Sequence, residues 1–143
     1  MTVAVLVTYN PDIIQLTKTL YSLEKQCDKI VIVQNDDSDL EIENEKVDII
    51  SLKKNYGIAY AQNKGIVSAL NNNADFILFS DQDTIFPENY INMCLRSYDE
   101  NKVDNKIGAI VPLFFNENKN QLSQIMITKN KAITPKIGKI YFL

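Results

Sequence analysis

The stretch "FILFSDQDTIFPENY", residues 76–90, joins an apolar run to an abrupt acidic end. Residues 76–80 predict a buried strand, because a short apolar run bounded by polar residues is typical of one. Asp81 and Asp83 follow directly, and Pro87 predicts the first turn of a helix. Two carboxylates so close together repel each other, and burial raises the cost of their charge. The stretch therefore predicts a cation at the end of this strand.

Strand-like and helix-like segments alternate along the rest of the chain. A β-branched run at 2–8 is followed by apolar residues at helical spacing in 9–26, where Asn10 is the predicted N-cap and Pro11 the first helical residue. The remaining predicted elements are strands at 28–35, 47–52 and 107–115 and a helix at 57–73. Strands separated by helices predict an α/β fold with a mostly parallel, Rossmann-like sheet and helices on both faces.

Polar residues follow each of the first four predicted strands. They are "TYNP" (8–11), "QNDDS" (34–38), "KKNYG" (53–57) and "SDQDT" (80–84). In parallel α/β sheets, ligands bind outside the carboxyl ends of the strands, which lie at one edge. The four clusters together therefore predict a binding site at that edge more strongly than any single motif does.

The composition is that of one soluble globular domain. The chain has 143 residues, of which 45% are hydrophobic and 23% charged. The net charge of −3 gives no basic footprint for nucleic acid, although the tail is locally basic at Lys129, Lys131, Lys136 and Lys139. No apolar run approaches the ~18 residues of a transmembrane helix. We therefore expect a cytoplasmic protein without a transmembrane segment.

Missing residue types and motifs narrow the chemistry. The chain has no histidine, which excludes Ser-His-Asp and Cys-His catalysis and histidine-ligated zinc. Cys27 and Cys94 lack CxxC spacing, so we expect reduced thiols rather than a disulfide. The four glycines form neither a GxGxxG fingerprint nor a P-loop, so a nucleotide phosphate would need a metal ion instead.

The paired aspartates suit a hard divalent cation. Residues i and i+2 of an extended segment face the same way, so Asp81 and Asp83 are expected to share a ligand while Gln82 points elsewhere. Mg²⁺ takes one or two protein carboxylates and completes its shell with water and phosphate oxygens. An EF-hand is excluded, because Ile85 and Phe86 stand where it needs an oxygen ligand and a glycine. The structural alternative is that one aspartate caps the following helix or turn.

Two further stretches contain candidate binding residues. "NYGIAYAQNKG" (55–65) has Gly57 for a tight entry into a helix and Asn63 about two turns in, although small residues on a helix are also typical of packing. "QNDD" (34–37) offers an amide and carboxylates to a pyrimidine or to ribose hydroxyls, and it also fits a solvated acidic loop.

These motifs together resemble glycosyltransferase family 2, the inverting sugar transferases of the GT-A fold. They are most similar to its rhamnosyltransferase-type members, which act in bacterial surface-polysaccharide synthesis. The resemblance is carried by "VAVLVTYNP" (3–11), "IVIVQNDDSD" (30–39), "NYGIAYAQNKGI" (55–66) and "FSDQDT" (79–84). These stretches follow the family's order and approximate spacing, and the resemblance covers residues 2–100.

The resemblance implies a site for a nucleoside-diphosphate sugar and a metal ion. Asp83 would be the direct ligand of Mg²⁺ or Mn²⁺, and Asp81 would contact the ribose or a metal-bound water. The implied nucleotide-sugar-binding residues are Thr8, Tyr9, Asn10, Gln34, Asn35, Asp36, Asn55, Gly57, Asn63 and Asp81. The implied reaction is attack of an acceptor hydroxyl, deprotonated by a carboxylate base, on the anomeric carbon with inversion. The metal would stabilise the leaving nucleoside diphosphate.

The resemblance also implies the partners of the protein. The donor would be a dTDP- or UDP-sugar, with rhamnose one candidate, and the acceptor a glycan or a lipid-linked sugar. Peripheral association with the inner face of the membrane and formation of a homo-oligomer are left open.

The sequence departs from the family pattern in two places. Family members usually have Asp where Gln34 stands, which puts the base preference in question. The chain is also short, with 60 residues after Asp83. We therefore expect residues 1–115 to be the nucleotide-sugar-binding domain and 116–143 the truncated start of the acceptor-side region. The catalytic base is expected beyond residue 143, since Glu117 is a poor candidate.

Two other functions stay open. One is a module that binds the nucleotide sugar without turning it over. The other is a phosphatase of the haloacid dehalogenase type, whose apolar strand followed by DxDx[TV] resembles "FILFSDQDT". Against the phosphatase, Thr84 falls one position early and the motif lies in mid-chain.

Overall fold

The computed structural model describes residues 1–102, 107–111, 115–116, 121–122, 125–127 and 131–133. It divides the chain into two compact units, Met1–Ile91 and Asn92–Leu143. The first elements are β1 (Thr2–Thr8), α1 (Ile13–Glu24), β2 (Lys29–Gln34), β3 (Val47–Ser51), α2 (Ile58–Asn71) and β4 (Phe76–Ser80). They are followed by α3 (Tyr90–Asn101), β5 (Phe115–Asn116), β6 (Gln121–Leu122), β7 (Ile125–Ile127) and β8 (Lys131–Ile133).

The first unit contains a four-stranded parallel sheet in the order β3-β2-β1-β4. In its register, Val5 lies beside Val31 on one side and Phe79 on the other. The predicted α/β fold with a parallel, Rossmann-like sheet is confirmed. The described short strands after α3 pair as two antiparallel hairpins, β5 with β6 and β7 with β8.

One face of the sheet packs against α2. Alternate residues of the central strands β1 and β2 form this core with two alanines of the helix, and the buried members are Val3, Val5, Val31, Val33, Ala61 and Ala69. Gly65 lies on the same side of α2, where an added Cβ would be only 2.3 Å from Cγ1 of Val5. The helix therefore approaches the sheet closely because this position has no side chain.

The opposite face of the sheet is buried as well. Its residues in β1 and β2 are Ala4, Leu6, Ile30 and Ile32, each 0% exposed, and α1 buries Leu16, Leu20 and Leu23. The crossover from β1 to β2 and the one from β3 to β4 run in opposite directions across the sheet. Because such crossovers are right-handed, α1 and α2 lie on opposite faces, as predicted. The strand order reverses between β1 and β4, and such a point is where open α/β sheets bind ligands.

The start of α1 differs from the prediction. Asp12 rather than Asn10 is the N-cap, and its side chain accepts a hydrogen bond from the Gln15 N–H at 3.1 Å. Asn10 has a φ of 44° and its N–H donates to Asp36, which fixes it in a turn before the helix. Pro11 consequently precedes the cap. The predicted start was wrong because a contact with a distant loop overrides the local preference.

Two further boundaries also differ. The helix predicted from Pro87 begins at Tyr90. In the predicted strand 107–115, residues 107–111 show only a single bridge at Ile110, and β5 begins at Phe115. Residues 112–114 of this predicted strand lie outside the described part.

Candidate functional site at the carboxyl edge of the sheet

Backbone hydrogen bonds join the first three strands beyond their ends. The Asn35 N–H donates to the Thr8 carbonyl at 2.9 Å, and the Leu52 N–H donates to the Gln34 carbonyl at 2.9 Å. The polar residues that follow these three strands therefore begin at the same height along the strand direction. As the sequence predicts, the carboxyl ends of all four parallel strands lie at one edge of the sheet.

Gln82 ties the acidic segment after β4 to the segment after β1. Its side-chain Oε1 accepts from the Tyr9 N–H at 2.8 Å, and its Nε2 donates to the Tyr9 carbonyl at 3.4 Å. From α1, the Thr19 hydroxyl donates to the Gln82 carbonyl at 3.1 Å, and the Gln15 amide donates to the Asp83 carbonyl at 3.2 Å. The backbone carbonyls of Gln82 and Asp83 are thus held by α1, and the Gln82 side chain is held by the segment after β1.

Asp81 and Asp83 lie in a turn rather than in an extended segment. The strand ends at Ser80, and the Thr84 N–H approaches the Asp81 carbonyl at 3.4 Å. We expected both carboxylates to face the same way because the chain would be extended here. The assumption of an extended chain was wrong. Both aspartates are nevertheless exposed, while the Gln82 side chain points to Tyr9 as expected. Neither aspartate caps α3, which begins at Tyr90.

The turn is chemically suited to a hard cation. Its two carboxylates are exposed oxygen donors, and neither takes part in an ion pair of the described residues. Within the same part of the chain, no three acidic or cysteine side chains gather as a complete metal site. This arrangement fits Mg²⁺ or Mn²⁺, since such ions are held by one or two carboxylates and completed by water and phosphate oxygens.

Asp36 is the centre of a hydrogen-bonded cluster after β2. Its Oδ2 accepts from the Asn10 N–H at 2.6 Å, and its Oδ1 accepts from the Gln34 amide at 3.1 Å and the Ser38 N–H at 3.0 Å. The Ser38 hydroxyl also donates to Oδ1. Burial alone would raise the pKa of Asp36, but these donors outweigh it and hold the pKa below its ordinary value. A buried carboxylate therefore joins the first loop to the second.

An amide pair connects β2 to the start of α2. The Asn35 side chain donates to Oδ1 of Asn55 at 3.1 Å and accepts from the Tyr56 N–H at 2.9 Å. The same Asn55 oxygen accepts from the Gly57 N–H at 2.8 Å. Gly57 is the N-cap of α2 at a φ of 84°, a conformation that favours glycine. The predicted tight entry into this helix is confirmed.

Hydrogen bonds link most of the predicted site residues to neighbours at the carboxyl edge. The linked residues are Tyr9, Asn10, Gln34, Asn35, Asp36, Asn55 and Gly57. Thr8 is fully buried, and its hydroxyl has no partner among the described residues. Asn63 is exposed on α2, five residues past its first residue. The ligand contacts of all these residues stay predictions.

Sequence reasoning missed Gln82 and Ser38 as positioning residues. Gln82 stands between two aspartates. The position of this long amide side chain between two acidic residues was the signal that could have indicated its role. Ser38 follows Asp36 by two residues, a spacing at which side chains close local turns onto backbone N–H groups. Both residues hold the loops through hydrogen bonds, and neither residue belongs to a recognised binding motif.

The two cysteines are reduced thiols, as the sequence predicts. Neither Cys27 nor Cys94 forms a disulfide. Burial, with a smaller contribution from the nearby Asp28, raises the pKa of Cys27 to about 11. Among the described residues, no helix is both long enough and apolar enough to cross a bilayer.

Comparison with known proteins identifies the family. The chain matches the family described as Glycosyl transferase family 2 over residues 3–142. It is 35% identical over 138 residues to a dTDP-rhamnosyl transferase, RfbF, of Shigella flexneri, an alignment that covers 94% of this chain and 45% of that protein. The chain thus spans about half the length of the curated relative that it matches. Because the family match extends over nearly the whole chain and agrees with the parallel sheet and its polar edge, the chain belongs to glycosyl transferase family 2.

Proposed function

We propose that the chain carries the donor-binding part of a metal-dependent glycosyltransferase. The reaction would move a sugar, with rhamnose the first candidate, from a nucleoside diphosphate to a glycan or lipid-linked acceptor in bacterial surface-polysaccharide synthesis. Family membership supports sugar transfer, and the name of the Shigella relative supports a dTDP-sugar ahead of a UDP-sugar. The proposed location is the cytoplasm, with peripheral association at the inner face of the membrane.

One observation carries this proposal. Two exposed carboxylates, Asp81 and Asp83, follow β4 next to the point where the strand order reverses, and Gln82 fastens them to Tyr9 of the segment after β1. Open α/β sheets bind nucleotides at such a point. A nucleoside diphosphate is the ligand that needs both a cation and hydrogen-bonding groups there, because the glycines form no phosphate loop.

Different residues of the chain would hold different parts of the donor. Asp81 and Asp83 would hold Mg²⁺ or Mn²⁺, which when bound neutralises charge on the departing diphosphate. Tyr9 and Asn10 are exposed at the end of β1, where they would line the nucleotide pocket. The Asn35–Asn55 pair fixes the start of α2, so that Gly57 presents a bare backbone to the nucleotide or sugar.

Gln34 replaces the aspartate usual in the family and is 2% exposed. Its amide nitrogen donates to Asp36 and to the Ser38 hydroxyl at 2.8 Å. An aspartate could not donate these hydrogen bonds. We propose that Gln34 supports the base pocket through Asp36 and Ser38 and that its effect falls on base preference.

The second candidate is a module that binds the nucleotide sugar without transferring it. The chain spans 45% of the length of the Shigella relative, and this function is therefore the alternative to sugar transfer by the chain alone. The two functions share the donor site, so binding alone does not separate them.

Two measurements on the full chain test the proposal. Isothermal titration with dTDP, UDP, GDP and ADP, each with and without Mn²⁺, tests the donor site, and we expect metal-dependent binding of dTDP or UDP. Chromatography of dTDP-rhamnose incubated with a lipid-linked glycan acceptor then tests turnover. Binding with turnover supports the transferase, binding alone supports the module, and the absence of nucleotide binding contradicts both. Transfer of phosphate to Asp81 from a phosphate donor would instead support a phosphatase.

A further inference from the structure

The outward side of α2 and the segment before it form a locally cationic surface. No acidic residue occurs between Asp48 and Asp75, although the chain has 18 of them, and the interval contains three lysines. Lys53 is paired with Asp39 at 3.1 Å. Lys54 and Lys64 are not in ion pairs among the described residues. Two uncompensated positive charges thus lie together on a chain of net charge −3.

Stacked tyrosines organise these two lysines. The ring centroids of Tyr56 and Tyr60 are 4.8 Å apart with an angle of 26° between their planes. Nζ of Lys54 lies 4.6 Å from the Tyr56 centroid, and Nζ of Lys64 lies 5.4 Å from the Tyr60 centroid. Tyrosine and lysine both combine an apolar body with a polar tip, and both settle at the headgroup level of bilayers.

Aliphatic side chains continue this surface along the helix. Val67 and Leu70 are 56% and 58% exposed. α2 buries Ala61, Gly65 and Ala69 against the sheet, so the helical period turns Tyr60, Val67 and Leu70 to the far side. We call the set Lys54, Tyr56, Tyr60, Lys64, Val67 and Leu70 the α2 surface. It is apolar and cationic at once.

We propose that the α2 surface docks on an anionic lipid bilayer. Lysines flanking aromatic and aliphatic groups complement a layer whose headgroups are negative and whose interior is apolar. A second copy of the chain fits less well, because a two-fold contact would bring the same lysines towards each other. The inference rests on the peripheral association proposed above and specifies its surface. It does not involve Asp81, Asp83 or the residues that hold their turn.

Vesicle flotation of the full chain tests this inference. The probes are vesicles of phosphatidylcholine with phosphatidylglycerol, and vesicles of phosphatidylcholine alone. We expect binding to the anionic vesicles only, weakened by added salt. The double variant Lys54→Gln/Lys64→Gln should lower the partition constant about 25-fold, since each lysine near an anionic surface contributes about a factor of five. Circular dichroism checks that the variant is folded.

A matched variant and a second readout make the test specific. Lys18→Gln/Lys25→Gln removes the same charge from α1 and its C-cap, and Lys25 also lies over a tyrosine, 3.9 Å from the Tyr21 centroid. This control should float like the unaltered chain. Equal binding to neutral vesicles, an equal loss in both variants, or no binding at all would overturn the inference. A different result would also overturn it. Sedimentation velocity would show that the unaltered chain is a dimer, that the Lys54/Lys64 variant is not, and flotation would show no binding to vesicles. Titration with dTDP and Mn²⁺ of the same variants reports the donor site separately.

Discussion

The side-chain amide of Gln82 forms two hydrogen bonds with the backbone of Tyr9, one from the Tyr9 N–H at 2.8 Å and one to the Tyr9 carbonyl at 3.4 Å. The backbone of an adjacent strand would form the same pair of bonds. Regular pairing of β1 with β4 ends at Leu6 and Ser80. The amide therefore continues the contact between the two chain segments past the end of the ladder. It does so at the point where the two candidate metal ligands leave the sheet.

Replacing Gln82 by leucine should loosen this turn. The variant keeps a similar volume but loses both hydrogen bonds, so we expect a loss of about 1 kcal/mol in the free energy of unfolding. Partners that orient metal ligands typically contribute tenfold or more to metal affinity, so Mn²⁺-dependent dTDP binding should weaken about tenfold. Urea denaturation and isothermal titration measure the two effects. Gln62→Leu on α2 is the matched control, and a Gln82 variant that binds like that control would refute the positioning role.

Asp36 should make the stability of the protein depend on acid pH. Because the folded-state pKa lies below the ordinary value, its contribution is present above that value and is lost as the pH falls through the folded-state pKa. Asp36→Asn should therefore cost about 1–3 kcal/mol at pH 7 and much less in strong acid. Urea denaturation across the acid range measures how far the free energies of unfolding of the variant and the unaltered chain approach each other. Exposed Asp37→Asn is the control, and a constant gap between Asp36→Asn and the unaltered chain would contradict the assignment.

Gly65 should not tolerate a methyl group. An added Cβ would lie 2.3 Å from Cγ1 of Val5 and 3.2 Å from Cγ2 of Val33, so α2 would have to move off the sheet. We expect Gly65→Ala to lower the free energy of unfolding by about 1–3 kcal/mol, as overpacking does. Gly108→Ala, with no atom within 4 Å of the new Cβ, should be nearly neutral.

A double variant tests whether the contact with Val5 causes the loss of stability in Gly65→Ala. Val5→Ala removes the methyl group that the new side chain would meet, so the two substitutions together should cost less than the sum of their separate effects. Strict additivity in thermal or urea denaturation would show that the close approach of α2 to β1 is not the reason for glycine.

Cys27 should react slowly with thiol reagents in the folded protein. Its pKa of about 11 leaves little thiolate at pH 8, and the residue is buried. Mass spectrometry after iodoacetamide treatment should find Cys27 modified only after unfolding in urea. Because the unfolded thiol ionises first, stability should fall as the pH rises from about 9 towards 11. Rapid native labelling of Cys27 would contradict its buried environment.

The sheet could be predicted from the sequence because its strands are short apolar runs whose ends are polar. β4 was predicted at its observed bounds, and the edge at which the polar residues gather follows from parallel pairing. The start of α1 could not be predicted in the same way, since Asn10 is held by Asp36, which is 26 residues away. The turn at Asp81–Asp83 depends on a contact 73 residues apart in sequence. Local patterns carry no information on such contacts.

Titration of dTDP into the Asp83→Ala variant, with and without Mn²⁺, tests the central claim most directly. Asp83 is exposed, so its removal should leave the fold and its circular dichroism unchanged. The account predicts that the unaltered chain and a control variant, Asp37→Ala, bind dTDP far more tightly with Mn²⁺; Asp37 is another exposed aspartate, after β2. Asp83→Ala should lose this enhancement. Metal-dependent affinity that is the same in Asp83→Ala as in the unaltered chain would contradict the assignment of the turn as the metal and diphosphate site.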